Sequence, residues 1–540
     1  MKSVFGMEGA GAFSFRQCFC LCLPALIVGA ILRLSLLAAI PEVFYGSDSP
    51  SYSTTAENVY LKGHFRLPPK RRYLYPLLLI AAPVVPFCNT IQLVAAVQHT
   101  AGLVMILGIG WVAGHLVRRP GLWVPPVTLL AAVWPRMLYY EHEMIGECLL
   151  LGVFISAVAI AAPREGLVAP RRLGWFLVLA VAIMAVKPAG APLWLGLFLA
   201  AMLLTRNAPA WPRPFFLAVP AAVLIALTSG GDGQGPWLFL SSVLPLVNTE
   251  GEPYARERAL IRPAIESARA DLPKYAFNET RYKKMLSETG ADGAFGSEYA
   301  ALAADPKRFS KFAKTLGTEA VLAHPLQYAK LTVEKILVAG SNRDHDRRLL
   351  PETFWADQAA SSDQHWGKKP REMALLYEMD RSAYEIMAAE RAQRTVWFQP
   401  LVLWFSHVQW AQANARPPGK PARIRLTALG WLAVLGLAGA LVPGRFIRTS
   451  ILWLPMLLYV VVVFAVGDRV SRYFQPIEWA MFVLIAIGLD VVLDAFLALG
   501  KSRPRGAESR ARRSTVAPAG AGDHRSAQYA AHPARAGEGG

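Results

Sequence analysis

The chain has 540 residues, of which 54% are hydrophobic, and a formal net charge of +18. A soluble protein of this length buries one or two cores and needs no repeated apolar runs of bilayer length, so the composition points to a polytopic membrane protein. The basic excess fits cytoplasmic loops that meet anionic lipid; no RNA-binding motif or Cys/His zinc pattern accompanies it, which sets nucleic acid aside.

The first apolar segment, 15–39, is too long for a signal peptide and lacks a small-residue cleavage site, so it reads as a retained anchor. Cys18, Cys20 and Cys22 cluster at its start, Cys88 and Cys148 stand alone, and the absence of any CxxC pair argues against a disulfide framework or zinc knuckle. Further segments with spanning character follow at 91–117, 121–139, 144–162, 172–187, 190–205, 213–230, 426–442, 449–466 and 474–498, giving about ten in all. Several are short and need tilt or local bilayer thinning. With the N-terminus inside (Lys2, Arg16), every even segment returns to a basic loop: Arg118 and Arg119; Arg164, Arg171 and Arg172; Arg206 and Arg213; Arg445 and Arg448; Lys501, Arg503 and Arg505. Tyr73–Cys88 and Val396–Asn414 are apolar and carry prolines and aromatics, and both read as juxtamembrane helices in the outer interface. That choice leaves the basic stretch Arg416–Arg425 outside, against the charge rule.

The expected fold is therefore an all-α polytopic membrane bundle in four parts. Residues 1–230 form an N-terminal membrane module with a first outer loop at 41–90, and 231–425 a mainly helical outer region of open fold. Residues 426–500 form the C-terminal membrane helices, and 501–540 an Ala/Gly/Arg/Ser-rich disordered cytoplasmic tail. Within the outer region, "FAKTLGTEAVLAHPLQYAKLTVEKILVAG" predicts two amphipathic helices punctuated at His324-Pro325. No internal repeat is visible, which weakens a transporter built from inverted halves.

This topology gathers ionisable residues at one face. The first loop contributes Asp48, Tyr52, Glu57, His64 and Lys70–Arg72. The turn "RMLYYEHEMIGE" contributes Arg136, Tyr139, Glu141, His142, Glu143 and Glu147, and the hairpin "VKPAG" contributes Lys187. The turn before the last segment contributes Asp468, Arg469, Arg472 and Tyr473. A carboxylate can deprotonate or orient an acceptor hydroxyl, while Arg and Lys hold a phosphate leaving group and offset its developing charge. Plainer roles compete. Asp48 suits a cap for a helix starting near Ser49-Pro50. Glu147 suits a helix N-terminus, and Glu141, His142 and Glu143 suit a solvated turn. Lys70–Arg72, Lys187 and Arg472 suit headgroup anchors. "HEMIGE" is not HExxH, since Gly146 stands where the second His is needed. His64, His324 and His345 show no ligand spacing. Scattered acids favour a site with no metal or other cofactor, although a loosely held divalent ion stays open.

Taken in order, these motifs form a set. "Y…AENVYLKGHF" follows the first-loop acid, Asp48 to Phe65; an apolar Pro76–Leu78 segment comes next; then "P…YYEHEMIGE" ending at Glu147; "KP" at Lys187-Pro188; "HPLQYAKL" at His324–Leu331; and "RYFQP" at Arg472–Pro476. The chain resembles the GT-C superfamily of integral membrane glycosyltransferases, the group of protein O-mannosyltransferases and the lipid A aminoarabinose transferase. The resemblance implies a GT-C-like bundle with an extracytoplasmic site in the bacterial inner membrane, facing the periplasm. It also implies inverting transfer of a sugar from a polyprenyl-phosphate donor to a hydroxyl of a glycan, lipid or protein acceptor. Carried over, Asp48 is the base and Glu147 a second acid. Lys187 and Arg472 are phosphate-binding candidates, and Tyr473 positions the donor. Tyr52, Glu143, Lys70, Arg71, Arg72 and Arg469 are further substrate-binding candidates by region. Many relatives carry two adjacent acids in the first loop, whereas here Asp48 is flanked by Ser47 and Ser49. The rival readings are a transporter or lipid flippase, a ligase or polymerase of lipid-linked glycans, and a scaffold.

Overall fold

The computed structural model describes residues 13–46, 48–66, 72–82, 89–163, 167, 169–206, 235–271, 279–287, 295–341, 349–394, 396, 399–401, 408–414, 423–466 and 474–501. Residues 1–491 form one compact unit; in a second unit, from Val492 onward, the described part is the helical stretch to Lys501.

The first half of the chain is built from apolar helices whose ends obey local chemistry. α1 (Phe15–Ala39) opens on a capping box between Ser14 and Gln17. α2 (Pro50–Lys62) has proline in its first turn and ends at Gly63 with φ 68°, a left-handed position that glycine accepts without strain. α3 (Leu74–Ala81) is the described part of the expected Tyr73–Cys88 juxtamembrane helix. α4 (Thr90–Leu116) is capped by the Asn89 side chain, which accepts from Gln92 N at 2.9 Å.

The expected span 121–139 is broken. α5 (Pro120–Val133) stops at Trp134 and α6 (Pro135–Glu141) starts afresh. Pro135 explains the break: it supplies no amide and holds Trp134 in an extended conformation, φ −68° and ψ 115°. α7 (Glu147–Ala161), α8 (Pro170–Val186) and α9 (Ala191–Thr205) follow, the last two joined at Lys187 and a short turn, Pro188–Gly190. The expected span 213–230 lies outside the described residues.

The middle of the chain is helical: α10 (Gly235–Val243), α11 (Ala255–Asp271), α12 (Glu279–Ser287), α13 (Gly296–Ala304), α14 (Pro306–Ala323), α15 (Pro325–Ser341), α16 (Pro351–Lys368), α17 (Pro370–Tyr377) and α18 (Arg381–Ala392). α14 and α15 meet at His324-Pro325, where the sequence places the break. α14 buries Phe309, Phe312, Ala313, Leu316 and Ala320, a stripe at helical spacing, against Leu240, Val243, Ile261 and Ile265. The expected helix through Asn414 is not the whole story, nor is the fold purely helical. β1 (Ala411–Asn414) pairs antiparallel with β2 (Arg423–Leu426). Trp410 turns away from helix because its indole N–H donates to the buried Glu478 at 2.8 Å and its carbonyl accepts from Thr427 N at 3.1 Å.

The chain closes with α19 (Ala428–Ala440), α20 (Phe446–Val466) and α21 (Gln475–Lys501). Among the described residues, five helices are long and apolar enough to cross a membrane, and four shorter apolar helices accompany them. α1, α4 and α5 pack together, α7 lies on α4 and α8, and α9 lies along α20, where Gly196 leaves no room for a side chain against Pro455.

One end of this bundle is basic. The carboxylate of Asp490 is fully buried and accepts from Arg118 N (2.9 Å), Arg119 Nη1 (3.1 Å), Trp123 Nε1 (3.1 Å) and Arg445 Nη2 (3.1 Å). Two loops that the charge pattern assigns to one side, at Arg118–Arg119 and at Arg445, thus meet at one carboxylate. The opposite end carries the first loop, and beneath it lies a separate aromatic core of Phe44, Tyr45, Tyr75, Tyr139, Phe354 and Trp355. Burying each of these rings stabilises by about 1.5–3 kcal/mol.

Candidate active site

The first loop is held by backbone before any side chain is considered. Phe44 N donates to His142 O at 2.7 Å and Met144 N donates to Phe44 O at 3.0 Å, so the chain leaving α1 bridges to the turn before α7. Gly46 N then donates to Ser49 Oγ, and Ser49 Oγ donates to Met144 O, both at 3.0 Å. Space at Gly46 is tight: a Cβ would stand 3.2 Å from Glu143 Oε1 and 3.0 Å from the Phe44 ring. Asp48 sits in this turn, half-buried. Ser49, not Asp48, holds the N-cap position of α2, and the Asp48 carbonyl accepts from Ser51 N at 3.1 Å. Ser49 itself makes no side-chain capping bond, its hydroxyl being used by Gly46 N and Met144 O.

Glu147 is buried as the first residue of α7, where the helix N-terminus favours a negative charge. Lys187, between α8 and α9, pairs directly with its Oε1. Lys187 is itself only 9% exposed, so it is no headgroup anchor in this conformation. Tyr52 brings α2 to the same place: its hydroxyl lies 3.5 Å from where a Cβ on Gly146 would be, and its ring meets Tyr75 edge-on at 5.0 Å. The structure thus brings Asp48, Tyr52, Glu143, Glu147 and Lys187 to one end of the bundle. Arg72 is half-buried just before α3. Lys70, Arg71, Asp468, Arg469, Arg472 and Tyr473 lie outside the described residues.

The expectation of a solvated turn at Glu141 and His142 is overturned, since they are 1% and 2% exposed. The physical reason is Arg33, the lone charge in the apolar part of α1 beyond Arg16. Its Nε and Nη2 donate to both oxygens of Glu141 at 2.7 and 2.6 Å, a two-pronged pair that offsets the cost of burying both charges. His99 Nδ1 lies 2.9 Å from Glu141 Oε2, and His99 Nε2 lies 2.8 Å from His142 Nδ1. A carboxylate only accepts, so His99 Nδ1 carries the proton; with a neutral ring its Nε2 then accepts from His142 Nδ1–H. Burial, followed by the neighbouring His99, holds His142 well below the ordinary histidine range, which keeps it neutral. Gln98 completes the lock by donating to Glu141 O and Glu143 O, each at 3.0 Å.

Two further clusters join residues read from the sequence, Arg136 and Glu57, to partners that were not. Arg136 Nη1, Trp134 Nε1 and Trp410 Nε1 all donate to Glu478 at the start of α21, at 2.7, 3.2 and 2.8 Å. The outer helices also reach the first loop. Lys369 Nζ lies 3.4 Å from Glu57 Oε2 and 2.6 Å from Glu372 Oε2. Burial, then the hydrogen bond with Glu57, raises the Glu372 carboxyl to about 7. The usable sequence signal was the isolated polar residue in an apolar helix, Arg33 in α1 and Gln98-His99 in α4, which by itself marks a costly and therefore partnered group.

No family model and no curated relative matches the chain. Among solved structures, ArnT from Cupriavidus metallidurans bound to undecaprenyl phosphate is similar at 12% identity over 86% of this chain and 77% of that one, with a TM-score of 0.31. The apo state of the same protein gives 13% identity, 86% and 76% coverage and a TM-score of 0.30. Both TM-scores are too low to carry an argument about this chain.

Proposed function

We propose that the chain is an inverting glycosyltransferase of the GT-C type, which moves a sugar from a polyprenyl phosphate to an acceptor hydroxyl at the periplasmic face of a bacterial inner membrane. The observation that carries this reading is the half-buried Asp48 turn pinned to the segment that leads into the Glu147–Lys187 pair, an acid beside a buried cation at one end of an apolar bundle. In this reading Asp48 accepts the proton of the acceptor hydroxyl as its oxygen attacks the anomeric carbon. The bond from that carbon to the phosphate oxygen breaks, and the electron pair leaves with the phosphate. Lys187 offsets the charge gathering there, and exclusion of bulk water strengthens that effect. Glu147 holds Lys187 until the phosphate arrives. Arg472, Arg469, Lys70, Arg71 and Arg72 are proposed as further phosphate contacts, Tyr52, Glu143 and Tyr473 as sugar or acceptor contacts. Residues 1–230 and 426–500 would form the membrane modules and 231–425 the outer region that selects a glycan, lipid or protein acceptor.

The test is a transfer assay in lipid with a panel of radiolabelled polyprenyl-phosphate sugars and a crude envelope acceptor fraction. Label moved by wild type and not by a folded Asp48→Asn variant supports the reading; near-normal turnover by that variant overturns it.

One observation favours a second reading. The Arg33–Glu141–His99–His142 chain is buried inside the bundle, where a transporter or flippase would keep its charges. Movement of a lipid-linked sugar across vesicles without a new covalent product, lost on Glu141→Gln, would support that alternative.

A further inference from the structure

The peptide of Tyr45 is buried, lies in no regular sheet, and so needs side-chain partners for its N–H and C=O. Both come from one helix of the outer region. Tyr45 N donates to Gln358 Oε1 at 2.8 Å, and Ser361 Oγ donates to Tyr45 O at 2.9 Å. Gln358 is 1% exposed, and its Nε2 donates to the Tyr377 hydroxyl at 2.9 Å. Flipping the Gln358 amide would set two donors against each other at Tyr45, so its orientation is determined. The same helix, α16, lays Phe354 edge-on against Phe44 at 5.7 Å and against His142 at 5.5 Å.

The backbone either side of this clamp is already tied down. Phe44 is bound to the 142–144 segment, and Gly46 and Ser49 close the Asp48 turn and fasten it to Met144. Tyr45 is therefore the one link between them that is held by the outer region and not by the bundle. The aromatic hydroxyl of Tyr45 bonds Ser53 Oγ at 3.0 Å, which carries the same restraint into α2.

We propose that Gln358 and Ser361 are positioning residues: by clamping the Tyr45 peptide they set the register of the turn that presents Asp48, so the outer region controls the geometry of the proposed base. The proposal rests on the reading of Asp48 as that base. It assigns to α16 a role in turnover and none in substrate affinity.

The test uses full-length protein in lipid nanodiscs, with Gln358→Leu, Ser361→Ala and the conservative Ser361→Thr. Hydrogen–deuterium exchange is followed in peptides covering 42–50, and kcat and KM are measured with the donor found active for wild type. Loss of one clamp bond should speed exchange at Tyr45 about five-fold or more. It should lower kcat about ten- to a hundred-fold with KM unchanged, and Ser361→Thr should restore both. Unchanged exchange in folded Ser361→Ala and Gln358→Leu overturns the clamp. Faster exchange with unchanged kcat overturns its role in positioning, as does a loss confined to KM. If wild type transfers no sugar, the glycosyltransferase reading fails separately, and the positioning role, which depends on that reading, fails with it, whatever the exchange data show about the clamp.

Discussion

The Lys187 ammonium rests directly on the Glu147 carboxylate, and both are almost completely removed from water. The pair joins the start of α7 to the link between α8 and α9. Removing one partner leaves a buried charge without compensation, which costs about 3–5 kcal/mol, whereas removing both together is far milder. Lys187→Met should therefore lower the unfolding midpoint in detergent strongly, and Lys187→Met combined with Glu147→Gln should recover most of the loss. If the two single losses simply add in the double variant, the pair is not an energetic unit.

Gly102 in α4 faces the Glu141 carboxylate so closely that a methyl group at that position would overlap it. Gly102→Ala should push Glu141 off Arg33 and His99 and destabilise the protein, despite the gain in helix propensity. Gly174 in α8 offers the control, because nothing lies within 4 Å of its would-be Cβ; Gly174→Ala should be neutral or stabilise by about 0.5–1 kcal/mol. Thermal unfolding of the two variants side by side decides the matter, and equal midpoints would mean that Glu141 moves aside at no cost.

The Glu57–Lys369–Glu372 contact makes the docking of α17 on α2 dependent on pH. The Glu372 carboxyl is raised from 4.5 to about 7. A raised acid binds its proton more tightly in the docked state, so its stabilising contribution is complete below about 4.5, declines between 4.5 and 7, and is gone above 7. Lys369 is itself raised by Glu372 and Glu57 and stays charged throughout, so it does not reverse the sign. Lys62, 3.7 Å from Glu57, His365, whose ring meets Tyr45 at 5.2 Å, and Tyr45 and Lys368 themselves are further titratable groups near this contact. Protection from exchange in peptides covering 369–377, taken relative to the intrinsic rate at each pH, should fall as pH passes from 5 to 8, and Glu372→Gln should abolish that fall, because an amide donates to Glu57 at any pH. A fall that persists in the variant would assign the effect to another group.

The long apolar helices were legible from the sequence because their signal is local. α1, α4, α20 and α21 stand within a few residues of where the hydrophobic runs place them. The break at Trp134-Pro135 was also local, yet the surrounding apolar run concealed it. What the chain pattern did not reveal is long-range pairing. Glu141 reads as a solvated turn until Arg33, 108 positions earlier, is folded against it. Gln358 carries no periodic signal at all, since its importance comes from a backbone group in a distant loop. Trp410 belongs to the same class, drawn out of helix by Glu478.

Gln358 and Ser361 follow Tyr45 by 313 and 316 positions. During synthesis at roughly 5–20 residues per second, about 15–60 seconds separate the emergence of the loop from that of the helix which fastens it. Throughout that interval the growing chain can place its early helices in the bilayer while the acid-bearing turn still lacks half of its restraints. On the reading of Asp48 as the base, a nascent or prematurely terminated chain that ends before α16 would hold an unset centre, and activity would await the making of the outer region.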